Sequence, residues 1–79
     1  MIPLTPLEIG RQIRQTRLAR GLTQPKLAVA VDVSIGFIGR LEYGQESAHL
    51  GKTLAVLDHL GIEVQLVPPR ADRLSLIHI

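Results

Sequence analysis

Histidine is the residue type in this chain best suited to acid–base or metal chemistry, because the sequence contains no cysteine. The three histidines, His49, His59 and His78, lie in different segments, with no carboxylate at metal-ligand spacing. No serine lies beside a base, as nucleophilic catalysis requires, and no glycine-rich phosphate loop is present. We therefore expect no catalytic residue, no metal site and no cofactor, and a protein that is not an enzyme.

Arginine is the second residue type with binding chemistry, and it is concentrated near the amino terminus. Residues 1–30 contain five basic residues against the single acidic Glu8, namely Arg11, Arg14, Arg17, Arg20 and Lys26. Residues 31–60 reverse this balance, with two basic residues against four acidic ones. A basic cluster of this kind fits a polyanion such as nucleic acid, although a solvated helix face is an equal alternative on charge alone.

Length and composition set the kind of domain that must position these residues. A chain of 79 residues is one small domain, and no apolar run approaches the ~18 residues of a membrane span. The amino terminus lacks the order of a secretory signal, so we expect a soluble cytoplasmic protein with no membrane partner. Phe37 and Tyr43 are the only aromatic residues, which leaves leucine, isoleucine, valine and alanine to form the core. Such an inventory favours helices.

Four amphipathic segments with start and stop residues predict a bundle of about four helices. The predicted helices run from a cap at Thr5 to Arg20, from a cap at Thr23 to about Val31, from Ile35 to Tyr43 behind a cap at Ser34, and from Lys52 to Leu60. Helical spacing then predicts a core that includes Ile9, Ile13, Thr16, Leu27, Ala28, Val31, Ile38, Leu41, Leu54, Leu57 and Leu60.

Residues 62–67 have a different period. Apolar and polar residues alternate there, which predicts a half-buried β-strand that Pro68 and Pro69 stop. No other segment predicts a strand, so the backbone groups of this one need a partner from a second copy of the chain. We expect a homodimer in which two strands pair antiparallel, with Ile62, Val64 and Leu66 as the dimerisation residues.

Residues 21–44 resemble the helix-turn-helix of the lambda-repressor-like, or XRE, family. The matching pieces are Gly-Leu-Thr-Gln at 21–24, Leu-Ala at 27–28, Val-Ser at 33–34 and Arg-Leu-Glu at 40–42. The likeness extends from about Leu7 to Leu60, and Asp32 departs from it, since the family usually has glycine at that turn position. The resemblance implies a mostly α, lambda-repressor-like bundle of about four helices, with one carboxyl-terminal β-strand that pairs in a dimer.

The same resemblance assigns a DNA-reading role to the helix that Ser34 caps. It implies that Ile35, Gly36, Phe37 and Arg40 contact bases in the major groove. Arginine can bond guanine bidentately, and apolar side chains can contact thymine methyl groups. For Phe37, burial in the core is the alternative.

Further positions follow from the resemblance in the supporting elements. The residues implied to contact DNA phosphates are Thr23, Gln24, Lys26, Gln45 and Lys52. For the two lysines, a solvated surface position is an even alternative. Arg17 and Glu42 occupy the positions of a structural ion pair.

Residues 50–66, a last helix that runs directly into the alternating segment, resemble the HipB-type antitoxins. In that group two strands form a small sheet, the dimer binds a palindromic double-stranded DNA operator, and its flanks bind a HipA-type serine/threonine kinase toxin. The resemblance implies a transcriptional repressor, the antitoxin of a HipBA-like operon that represses its own promoter and neutralises its toxin. The alternatives are a free-standing XRE regulator without a toxin, and a protein-interaction module that no longer binds DNA.

The predicted domain organisation is simple. Residues 5–61 form the helix-turn-helix domain, residues 62–67 the dimerisation strand and residues 68–79 a tail. Residues 74–79 resemble a translated transposon-end adapter from DNA sequencing, so we expect them to be non-native and leave them out of the fold.

Overall fold

Across the residues that the structure describes, the fold is a bundle of four helices. The computed structural model describes residues 4–69, and the predicted tail beyond them, including residues 74–79, lies outside the described residues. The helices are α1 (Pro6–Ala19), α2 (Gln24–Val31), α3 (Ile35–Glu42) and α4 (Leu50–Leu60). The mostly α helix-turn-helix architecture is therefore confirmed. None of these four helices is long and apolar enough to cross a lipid bilayer.

Each helix begins at a side-chain cap. The hydroxyls of Thr5, Thr23 and Ser34 accept from the backbone N–H three residues later, at 3.1, 3.2 and 3.0 Å. The fourth cap is His49, whose Nδ1 accepts from the backbone N–H of Lys52 at 3.2 Å. Helix α4 therefore begins at Leu50, two residues before the predicted start at Lys52. The sequence did not indicate this start, because histidine is not among the usual capping residues.

The core lies where the four helices meet. Its buried hydrophobic residues are Ile13, Leu27, Ala28, Phe37, Ile38, Leu41, Val56, Leu57 and Leu60. Leu54 was a wrong prediction, because its side chain is 47% exposed and α4 instead buries Thr53 and Val56. The physical reason is the helical period: three-residue steps back from Leu60 each drift by about 60°, which carries Leu54 off the buried face.

The connection between α2 and α3 contains one residue with unusual backbone geometry. Asp32 has φ 57° and ψ 53°, the left-handed conformation that glycine adopts most readily. Val33 N–H donates to the carbonyl of Ala28 at 3.0 Å and completes the helix end. The turn therefore keeps its geometry with an aspartate in the glycine position.

The predicted strand is not present in the part of the chain that the structure describes. Residues 62–69 form neither helix nor strand. At the end of α4 the backbone N–H of Ile62 donates to the carbonyl of Leu57 at 2.9 Å. A strand is defined by backbone hydrogen bonds to another strand, and residues 4–61 offer none. Ile62 packs partly against the core, whereas Leu66 is 84% exposed. Pairing with a second copy stays a prediction.

Candidate nucleic-acid interface

Helix α3 has one face in the core and one face in solvent. Phe37, Ile38 and Leu41 are buried, and they share one side of the helix. Ile35, Gly36 and Arg40 are exposed on the other side, as predicted for a reading helix. A helix of eight residues is about 12 Å long, comparable to the width of the DNA major groove.

Phe37 departs from its predicted role as a base contact. The ring is 8% exposed and belongs to the core cluster. Lys52 Nζ lies 5.9 Å from the ring centroid, within reach of a cation–π contact. The alternative of core burial therefore describes this residue, because Phe37 shares a face with Leu41, one turn along the helix.

Arg40 is held along the surface of α3. Its Nε donates to Gln45 Oε1 at 3.2 Å, and Gln45 Nε2 donates to Ser47 Oγ at 3.1 Å. A Cβ placed on Gly36 would lie 2.9 Å from Arg40 Nη1, so the glycine leaves space for the guanidinium. The guanidinium is the end of a flexible, exposed side chain, so it could shift to admit a Cβ at this position.

Arg17 and Glu42 form a buried ion pair between α1 and α3. Arg17 Nε donates to Glu42 Oε2 at 2.6 Å, and Nη2 donates to Oε1 at 3.1 Å. The remaining Nη1 donates to the carbonyl of Leu22 at 2.8 Å. This bidentate arrangement, with a third bond, satisfies the buried charges and ties the end of α3 to α1.

Gln24 joins the same network from the first turn of α2. Its Nε2 donates to Glu42 Oε1 at 3.1 Å, which commits one of the two amide hydrogens and leaves the other to a ligand. One carboxylate therefore receives groups from α1 and α2 and is itself part of α3. The sequence predicted a phosphate contact for Gln24 but not this internal bond.

The other predicted phosphate contacts lie at the ends of helices or in the connection after α3. Thr23 precedes α2, Lys26 is in its first turn, Gln45 follows α3, and Lys52 is near the start of α4. All four are exposed. Thr23 already serves as a cap, Gln45 is the partner of Arg40, and Lys52 lies over the Phe37 ring, so Lys26 has the freest side chain. Their contact with DNA stays a prediction.

A close approach of two backbones was missed by the sequence reasoning. A Cβ on Gly10 of α1 would collide with the carbonyl oxygen of Leu41. Gly10 therefore sets the distance between α1 and α3. A glycine inside an otherwise regular helix was the available signal.

A groove beside α3 brings together two further residues that were not predicted. It has a volume of about 420 Å³ and is lined by Arg14, Arg17, Gln24, Glu42 and Tyr43. Tyr43, the cap at the end of α3, is 88% exposed. The available signals were the spacing of Arg14, three residues before Arg17, and a tyrosine directly before a glycine. Within residues 4–69 no cluster of three metal-binding side chains occurs.

Comparison with known proteins places this geometry in a family. Residues 8–69 match the model described as a helix-turn-helix domain. The chain is also 38% identical over 69 residues to an uncharacterised HTH-type transcriptional regulator, y4mF of Sinorhizobium fredii, covering 87% of this chain and 91% of that protein. The chain therefore belongs to the helix-turn-helix transcriptional regulators of the XRE type.

Solved structures share the fold. HipB in a HipB-O4 20mer complex superposes with a TM-score of 0.75 at 18% identity, covering 89% of this chain and 99% of that chain. HipB in a HipA-HipB-O2-O3 complex gives the same TM-score, identity and coverage. At this identity the similarity establishes a common fold, and it confirms the resemblance to HipB in architecture.

Proposed function

We propose that this helix-turn-helix regulator is a homodimeric repressor that places α3 in the major groove of a double-stranded DNA operator. The observation that carries the proposal is the division of α3 into a buried face and an exposed face. Phe37 and Leu41 anchor the helix, while Ile35, Gly36 and Arg40 are left outside. A supported helix with short and basic outward residues has the shape and charge that a major groove admits.

The proposed base contacts follow from side-chain chemistry. The terminal nitrogens of Arg40 can bond guanine O6 and N7, and Ile35 can contact a thymine methyl group. Gly36 lets the backbone approach the base edges. Proposed phosphate contacts come from Thr23, Gln24, Lys26, Gln45 and Lys52, which position the helix without reading sequence.

The proposed dimer forms through residues 62–67. Leu66 and Val67 are largely exposed, and Val64 is 42% exposed, so this segment leaves apolar surface uncovered in one protomer. Antiparallel pairing with the same segment of a second protomer would cover it and satisfy the backbone groups. The two α3 helices would then lie about 34–36 Å apart and enter successive major grooves.

We further propose that the protein is the antitoxin of a HipBA-like operon, which it represses while it neutralises a kinase toxin. The support is the common fold with HipB, together with a last helix that runs directly into an apolar alternating segment. Such a repressor works in the compartment that holds the DNA, which we take to be the cytoplasm. A free-standing regulator is the second candidate, favoured by the name of the relative from Sinorhizobium fredii.

The test is selection of duplexes from a random-sequence pool, followed by binding measurements with Arg40→Ala and Arg40→Lys. We expect palindromic sites, and we expect both variants to lose about 1–3 kcal/mol of preference at one guanine. Only the alanine variant should lower the salt dependence, because lysine keeps the charge but not the bidentate geometry. Negligible affinity of the unaltered protein for every duplex would overturn the proposal and favour the interaction module.

A second measurement addresses the toxin. A kinase-type reading frame beside the gene, whose product co-purifies with this chain, is the result expected of an antitoxin. DNA binding without such a frame would favour the free-standing regulator and leave the operator-binding proposal intact.

A further inference from the structure

We propose that the groove between α1, the start of α2 and the end of α3 binds a DNA backbone phosphate through Arg14 and Tyr43. Neither residue belongs to the contacts proposed above. The inference rests on the proposed function, because it needs DNA against the exposed face of α3. It adds α1 to the DNA-binding surface, together with the residue at the end of the reading helix.

The charge balance of the groove favours an anion. Arg17 and Glu42 neutralise each other at 2.6 Å, and Gln24 is uncharged. Arg14 is exposed and makes no ion pair within residues 4–69, so its positive charge is the uncompensated one in the groove. A guanidinium in this state presents a fork of N–H donors, the geometry that binds phosphate oxygens best.

A second arginine on α1 differs from Arg14 in both its pairing and its position. Arg11 lies on the same helix, three residues before Arg14, but its Nη1 lies 3.7 Å from Glu8 Oε2. Arg11 does not line the groove. Arg11 is therefore paired with a carboxylate, whereas Arg14 lines a groove whose other residues have no net charge.

The position of the groove matches that of a phosphate beside a reading helix. Tyr43 follows Arg40 by three residues and Gly36 by seven, spacings that put all three on one side of a helix. The groove is continuous with the exposed side of α3, since Tyr43 also lines, with Arg40, a shallow depression over Gly36 and Gly39. When α3 enters a major groove, the backbone that borders that groove lies next to the helix end.

The groove supplies donors of more than one kind. Besides the Arg14 fork, the Tyr43 hydroxyl can donate, and Gln24 keeps one amide hydrogen after its bond to Glu42. The negative charge of Glu42 is compensated by the Arg17 guanidinium, so the ion pair adds no net negative charge to the groove. Because Tyr43 is largely exposed, its hydroxyl is accessible to a phosphate oxygen.

The experiment compares Arg14→Ala, Arg14→Gln and Tyr43→Phe with the matched control Arg11→Ala, which removes the same charge from the same helix outside the groove. Each is titrated against a duplex selected by the unaltered protein, or a random duplex at low salt if selection yields none. We expect both Arg14 variants to bind about tenfold more weakly. Their dependence of log K on log salt should be shallower by about 0.9. Tyr43→Phe should lose less, and Arg11→Ala least.

A second arm replaces single phosphates of the duplex with methylphosphonates. One replacement should weaken the unaltered protein and leave Arg14→Ala unchanged, which identifies the phosphate. Equal losses for Arg14→Ala and Arg11→Ala would overturn the inference while DNA binding stands. Failure of the unaltered protein to bind any duplex would instead overturn the proposed function. Circular dichroism checks that each exposed-residue variant keeps its helices.

Discussion

Helix α3 and the segment 62–67 both have an inward and an outward side, but they find their support in different places. The inward side of α3 packs on the core, and its end is held by an ion pair to α1. The segment 62–67 contacts the core through Ile62 and is otherwise exposed. One protomer is therefore sufficient to position α3, whereas the proposed dimer surface needs a second chain.

The largest change in stability is expected for Arg17→Ala, which removes the support of α3 by α1. It leaves the buried Glu42 carboxylate without its partner, so the free energy of unfolding should fall by about 3–5 kcal/mol. Urea denaturation measures the change. Replacing both partners by Arg17→Met and Glu42→Leu should cost less than the sum of the single changes, and strict additivity would contradict the ion-pair account.

The next effect tests the spacing between α1 and α3. Gly10→Ala forces a Cβ against the carbonyl oxygen of Leu41 and should lower the free energy of unfolding by about 1–3 kcal/mol. Gly39→Ala is the matched control, because its nearest outside neighbour lies 3.9 Å away, at ordinary contact distance. It should raise stability by up to about 1 kcal/mol. Two changes of the same sign in thermal melts would contradict this assignment.

A smaller effect concerns the turn that precedes α3. Asp32 is an L-residue in the left-handed conformation, which costs free energy that glycine avoids. Asp32→Gly should therefore raise the free energy of unfolding by about 0.5–1 kcal/mol. The gain is limited because glycine also loses more conformational freedom on folding. Asp32→Ala at the same position should be destabilising, and a stabilising alanine would show that φ does not control this site.

The smallest effect on folding of the single chain is expected in residues 62–67. Leu66→Ser alters an exposed side chain and should change the unfolding free energy of the monomer by less than about 0.5 kcal/mol. It should nevertheless weaken self-association in sedimentation, with Glu63→Gln, a change at a neighbouring exposed position, as control. Unchanged dimerisation would separate this segment from the two-fold contact.

Local rules of chain geometry made the helices predictable. Thr5, Thr23 and Ser34 cap the three helices they were expected to cap, because a short hydroxyl side chain satisfies free N–H groups wherever a helix begins. The outward positions of Ile35 and Arg40 were implied by the resemblance to the XRE family, and the structure leaves both side chains exposed. These inferences required no knowledge of distant parts of the chain.

The features that could not be predicted from the sequence depend on contacts between different helices. Phe37 looked available for a base until the packing of α3 buried it, and Leu54 was misassigned by a three-residue spacing that a helix does not sustain. The predicted strand would need backbone partners that residues 4–61 do not supply. Arg14 and Tyr43 are 29 positions apart in sequence, so only the angle between α1 and α3 brings them to one groove.

The sharing of Glu42 between Arg17 and Gln24 affects how genetic data on this protein should be interpreted. A screen for variants that lose the proposed repression should recover substitutions of Glu42 often, although this side chain is buried in the ion pair with Arg17. Such variants would lose the scaffold and the orientation of Gln24 together. Abundance in the cell, measured beside repression, separates this class from true changes in operator preference.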